Sequence, residues 1–158
     1  MGTRSRIGVM HGDVCKSVYC HWDGYLEHNG AILQEHYDSA KANNLVALGD
    51  LSSLKPEIGE KHAFSQFELR AEEVAGYKLL TENMCTFYGR DRGEEGIEFK
   101  SDMTFDSFFE RAEGCGAEWY YVMQDGAWYV GNTYEHDVKF YKKLVPLTEA
   151  LAAVKETA

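Results

Sequence analysis

Hairpin patterns stand near the start of the chain and again at residues 118–130, and between them the pattern turns helical and then polar. From Ser5 to Trp22, apolar side chains recur at every second position around Gly12-Asp13, which predicts a β-hairpin. Glycine at the first central position suits a type II′ turn. That turn sets His11 opposite Val14, Val9 opposite Lys16 and Ile7 opposite Val18. It puts Ile7, Val9, Val18, Cys20 and Trp22 on one face. A second hairpin is predicted from Glu118 to Val130 around Asp125-Gly126. It pairs Met123 with Trp128, Tyr121 with Val130 and Val122 with Tyr129. Both of its faces are apolar or aromatic, the mark of a central place in a sheet.

The middle of the chain reads differently. Asn29 is positioned to cap a short helix carrying Ile32, Leu33, His36 and Tyr37, and Ser39 a second one with Leu45, Val46 and Leu48, stopped by Gly49. Residues 50–65 are polar, with Pro56 and Gly59, and predict a surface loop. Residues 67–82 have helix-forming composition without clear periodicity. Met84 to Tyr88 is a short β-rich run leading into a glycine-rich charged loop, Gly89 to Gly96. Ile97 to Lys100 alternates like a strand. Asp102 or Thr104 then caps an amphipathic helix with Phe105, Phe108, Phe109 and Ala112, ended by Gly114. Residues 133–145 fit strand or helix equally. Pro146 and Thr148 open a last helix with Leu147, Leu151 and Val154 on one stripe. The expectation is an α+β fold in a single domain, residues 1–158. Its antiparallel sheet is built from the two hairpins plus one or two further strands and packed with several helices. Regular βαβ units, GxGxxG and P-loop patterns are absent from the sequence.

Composition narrows the function classes. The 158 residues are 44% hydrophobic and 27% charged, the profile of a globular chain. The formal charge is −10, and residues 91–118 hold nine acids against three bases. That disfavours duplex nucleic acid, whose backbone demands a basic footprint. It permits a cationic protein partner, partial mimicry of nucleic-acid charge, or a merely solvated acidic face. No run of 18 apolar residues and no secretory h-region occurs, so neither membrane association nor secretion is expected. The four cysteines lack CxxC spacing and read as reduced core thiols. A zinc site drawn from His11, Cys15, Cys20 and His21 is opposed by the hairpin, which points Cys15 and Cys20 to opposite faces. No metal or cofactor is predicted.

Two polar constellations remain. His21 and Asp23 flank Trp22, with Tyr25 following. A histidine and a carboxylate two residues apart on a strand orient each other as acid and base or share a ligand. The competing reading is a plain strand end, with Asp23-Gly24 turning and Trp22 plugging the core. In the charged loop, Arg90 and Arg92 stand among Asp91, Glu94 and Glu95. They either clamp an anion bidentately or pair at the surface with those acids, which outnumber them. The aromatic hairpin reads as core packing or a protein interface rather than a base-stacking platform, because its flanks are acidic. Its place in a hairpin apolar on both faces ranks Trp128 above every residue of the Arg90–Glu95 loop in stability.

Several segments together carry a family resemblance. They are Met1-Gly-Thr-Arg-Ser, His21-Trp22-Asp23-Gly24-Tyr25, Ala47 to Leu54, Tyr88-Gly89-Arg90-Asp91-Arg92-Gly93, and Pro146 to Leu151 after the Tyr129 hairpin. In combination they resemble a group of small uncharacterised proteins of tailed bacteriophages and prophages. The resemblance implies residence in the host-cell cytoplasm and an accessory role, and it carries no reaction. The leading expectation is a non-enzymatic protein that binds and modulates a host or defence-system protein. Self-association stays open. The alternative is a small hydrolase, or a protein that binds or sequesters a nucleotide, using His21, Asp23 and the Arg90–Arg92 loop. That alternative requires those four residues to line one pocket.

Overall fold

The structure, a computed structural model, describes residues 2–157. Met1 and Ala158, the outer bounds of the predicted domain, lie outside the described residues. Strands β1 (Ser5–His11) and β2 (Val14–Cys20) form the first hairpin in the predicted register, with His11 opposite Val14 and Ile7 opposite Val18. Gly12 has φ 60° and Asp13 stays out of the positive region, as a type II′ turn requires. Six helices and eight strands are formed among the described residues. The second hairpin, β6 (Trp119–Gln124) and β7 (Ala127–Asn132), also has the predicted register. Its Asp125 and Gly126 have φ of 52° and 79°, the two positive values of a type I′ turn.

The hairpins join in a way that local pattern does not reveal. β1 pairs parallel with β6, Ile7 opposite Tyr121, so the sheet is mixed rather than antiparallel. This corrects the sequence expectation. A parallel pair needs a long crossover; here the chain from β2 to α5 supplies it, in place of one helix with a readable βαβ pattern. A second parallel contact joins β2 to β3 (Leu51–Ser53) at Cys20 and Leu51. The full order is β4-β3-β2-β1-β6-β7-β8, where β4 is Thr86–Phe87 and β8 is Val145–Pro146. β5 (Lys100–Asp102) pairs antiparallel with the other end of β2.

Helices cover both faces. On one, a π-helical turn (Leu26–Gly30) runs into α1 (Ala31–His36), and α2 (Ser39–Ala47) and the C-terminal α6 (Leu147–Thr157) pack alongside. Ile7, Val18, Tyr121, Trp128 and Leu33 are buried in this layer. On the other face α5 (Phe105–Gly114) lays Phe108, Phe109 and Ala112 over Tyr120 and Val122. Thr104, not Asp102, caps α5: its hydroxyl accepts from the Ser107 N–H at 3.1 Å. Asp102 is instead buried against Ser107 and Arg111. Burial pushes its carboxyl up, but the hydrogen bonds from Arg111 and Ser107 outweigh that and hold it below the usual range.

Other expectations shift with the fold. Asn29 caps no helix, because the π-helical turn starts the helical stretch upstream of it. Its buried amide donates to Ser5 Oγ, Cys20 Sγ and the Trp22 carbonyl. Asp38, one residue before Ser39, caps α2. The polar stretch 50–65 contributes β3 to the sheet and buries Leu51, Leu54 and His62. Tyr88–Arg92 is a short helix, α4, closed by Gly93 at φ 72°, rather than a loop. Of residues 133–145, Val145 opens β8 and the rest form turns with one bridge from Tyr141 to Asn132, pinned by the Tyr120 hydroxyl donating to the Lys143 carbonyl at 2.6 Å. Gly131 permits that approach, since a Cβ there would lie 2.0 Å from the Lys143 oxygen. All four cysteines are free thiols, three of them buried.

One polar contact holds the sheet where β2 changes partners. Its outer edge meets β5 at residues 15–17 and β3 at Cys20. The Tyr19 N–H falls between, and Asp50 accepts it at 2.8 Å. Burial raises the Asp50 carboxyl above its ordinary value, opposed by this hydrogen bond and by Arg6 and Lys100. Asp50→Ala should therefore cost about 1–3 kcal/mol by orphaning a backbone donor. Asp50→Asn keeps an acceptor and removes the charge, so it should unfold close to wild type in urea. Equal damage from both substitutions would contradict this assignment.

Candidate functional site

Because β1 is antiparallel to β2 and parallel to β6, which is antiparallel to β7, one end of the sheet gathers four chain segments. Residues entering β1 and β6 meet residues leaving β2 and β7. A cleft of about 480 Å³ opens there, lined by Thr3, Arg4, His21, Trp22, Glu118 and Tyr134 among others. Backbone hydrogen bonds build its floor: Glu118 N–H to the Arg4 carbonyl, Thr133 N–H to the Glu118 carbonyl, and Gly24 N–H to the Thr3 carbonyl. Gly24 is needed for this crossing, since a Cβ would lie 2.7 Å from the Cβ of Ser5. Its carbonyl accepts from the buried Tyr121 hydroxyl at 2.6 Å.

The partner of His21 is Tyr19, two residues before it, rather than Asp23, two after. The Tyr19 hydroxyl lies 2.7 Å from His21 Nδ1. Burial, then the Arg4 guanidinium, lowers the imidazole's proton affinity, so the ring is neutral at neutral pH. Burial pushes the Tyr19 phenol up to about 12, so it stays protonated. Arg4 is exposed and makes no ion pair among the described residues. Asp23 sits at φ 55° in the turn after β2, which ends the alternation expected through Trp22. Trp22 accordingly leaves the core, 43% exposed, with its ring edge-on to His21 at 4.7 Å. Tyr25 is exposed and packs near His28. The cleft thus offers a neutral imidazole and exposed aromatic side chains from Trp22 and Tyr134. It also holds two charges without an ion pair among the described residues: Arg4, which favours an anion bearing a planar group, and Glu118, which opposes one.

Arg90 and Asp91 are occupied elsewhere. The Asp91 side chain is completely buried, and its two oxygens accept from the His62 and Phe87 N–H groups and from Arg90. The rest of the Arg90 guanidinium donates to the carbonyls of Ile58, Gly59 and Cys85. His62 completes the cluster, its ring nitrogens facing the carbonyls of Ala63 and Cys85. This network ties residues 58–63 to β4 and α4. Arg92 stacks over Phe64 and Tyr88, at 4.5 and 4.8 Å, and pairs with Glu94. Glu95 is exposed. Arg90 and Asp91 therefore fasten the fold, and of the four residues expected to converge only His21 lines the cleft. Neither Arg4, which stands in the Met1–Ser5 segment of the resemblance, nor His62 was expected at a site, although the Ser5–Cys20 pairing places Arg4 beside His21.

The exposed large apolar side chains fall mainly into three places. Trp22 and Tyr134 rim the cleft; Met103 and Leu144 rim a cavity beside α5; Phe67, Leu79 and Leu80 stand on the segment 66–81. In that segment, helix α3 (Ala71–Thr81) has no buried residue, Leu79 is 76% exposed, and the preceding Phe67 is 90% exposed. The aromatic hairpin, by contrast, is core: Trp119, Tyr120, Tyr121 and Trp128 are buried. Among the described residues no group of three or more His, Cys, Asp or Glu is placed to hold a metal ion. Likewise, no helix is long and apolar enough to cross a membrane. No family model, curated protein or solved structure matches the chain.

Proposed function

We propose that this protein is a non-catalytic binding protein that acts by engaging another protein through the segment 57–82. The observation that carries the reading is α3, an 11-residue helix with no buried residue that displays Leu79 and Leu80 and follows the exposed Phe67. A helix gains most of its stability from packing an apolar face, and exposed apolar groups of this size mark interaction surfaces. Charge defines the partner. Residues 57–82 hold six acids and three bases, so the complementary surface is basic around an apolar groove. The resemblance to phage proteins favours a host or defence-system protein in that role. Spending Arg90 and Asp91 on the fold weakens the enzymatic reading.

The experiment compares wild type with the double variant Leu79→Ser/Leu80→Ser as bait in host lysate. Surface changes shift stability by about half a kcal/mol or less, so the variant should melt like wild type and lose the captured protein. Capture should also weaken as salt rises. A variant that retains the partner at wild-type yield would refute the assignment.

A second reading rests on Arg4, which has no ion pair among the described residues and lines the cleft with Trp22 and Tyr134. It makes the cleft a nucleotide site, without Arg90 and Arg92. Trp22 is the exposed tryptophan of the three, so adenosine monophosphate should quench its fluorescence, and Arg4→Ala should abolish the effect. Unchanged fluorescence would eliminate this reading.

A further inference from the structure

The cavity beside α5 belongs to neither surface. Its volume is about 180 Å³. Met10, Cys15 and Val122, from β1, β2 and β6, form the floor, and Phe105 and Phe108 of α5 form a wall. Met103, 68% exposed, and Leu144 stand at the mouth. An apolar void of roughly 150 Å³ stays dry and takes up a molecule the size of benzene. The space here therefore matches one ring with a short side chain. Two thioethers in the lining, Met10 and Met103, adapt to ligand shape and favour aromatic contact.

The carboxylates set the sign of the occupant. Asp102 lines the cavity with its oxygens engaged by Ser107 and Arg111. Asp13, in the exposed β1–β2 turn, also lines it and has no ion-pair partner among the described residues. Burial, and then the field of Asp102, pushes the Cys15 thiol up to about 12, with Arg6 opposing. Surroundings that disfavour a thiolate disfavour a bound anion for the same two reasons. A cation placed toward the mouth keeps its solvent and gains Asp13.

We infer that this cavity is a binding site for a small organic amine, its aromatic or branched aliphatic body between the sheet and α5 and its ammonium group at Asp13. Gln124, at the end of β6, also lines the cavity and offers an amide oxygen as a second acceptor. The thiol of Cys15 contributes packing only.

The test titrates the full chain with three probes of similar shape: phenethylamine, propylbenzene and 3-phenylpropanoate. Carbon-13 methyl signals of the methionines are followed, with Met84 and Met123, which do not line the cavity, as controls. Phenethylamine should shift Met10 and Met103 saturably and bind about tenfold or more tightly than 3-phenylpropanoate, since the local charges attract one and repel the other. Asp13→Asn should weaken phenethylamine about two- to fivefold, the scale of an exposed ion pair, and leave propylbenzene unchanged. Salt should weaken the amine and not the hydrocarbon. No shift with any probe would overturn the site. Amine affinity no higher than that of either other probe, or insensitive to Asp13→Asn, would overturn the ligand class.

Discussion

Trp128→Ala should destabilise the protein by about 3–5 kcal/mol, the scale of a buried aromatic truncation. The side chain is 4% exposed, and its indole N–H donates to the Tyr37 carbonyl at 2.9 Å, fastening β7 to the end of α1. Truncation opens a cavity and strands that carbonyl together. Trp128→Phe separates the two effects: it keeps most of the volume and loses the donor, at a cost of about 1–3 kcal/mol for the unpaired carbonyl. Denaturation in urea, followed by far-ultraviolet circular dichroism so that losing a tryptophan does not alter the probe, gives both values. A Trp128→Ala midpoint equal to wild type would mean that the indole is not packed.

Asp91→Ala should be comparably severe, again about 3–5 kcal/mol, because it strips the counter-charge from a largely buried arginine. The carboxylate accepts from Phe87 N–H at 2.7 Å, from His62 N–H at 3.0 Å, and from two nitrogens of Arg90. Arg92 and Glu94 lie a few residues away but are exposed, so Arg92→Ala and Glu94→Lys should cost about half a kcal/mol or less. Hairpin pattern alone ranks Trp128 above every residue of this stretch; the burial of Asp91 removes that ranking. Thermal unfolding of the three variants side by side checks the contrast. An Asp91→Ala protein as stable as Glu94→Lys would show that the network does not hold residues 58–63 in place.

What was legible in the chain was local. Both hairpins follow from two-residue turns, whose geometry fixes register by itself, and the amphipathic spacing of Phe105, Phe108, Phe109 and Ala112 located α5. The parallel pairing of β1 with β6 was not legible, because it joins residues more than a hundred positions apart and leaves no periodic trace. β3 was hidden by its two serines and its length of three residues. Asp91 looked like a surface charge because its partners are backbone groups of Phe87 and His62, which composition does not display. Trp22 was misplaced by extending alternation past Cys20, into a turn where Asp23 takes φ 55°. The cleft was half legible. His21 was named, and the register that pairs Ser5 with Cys20 also brings Arg4 beside it.

The function proposed here locates the working surface on α3 rather than on the acidic stretch or the strand-end cleft. Site-specific photocrosslinking in intact cells, from positions 79, 95 and 134 in turn, samples all three surfaces with one chemistry. A discrete protein adduct is expected from position 79, with none from 95 or 134. An adduct from 95 or 134 with none from 79 would contradict it.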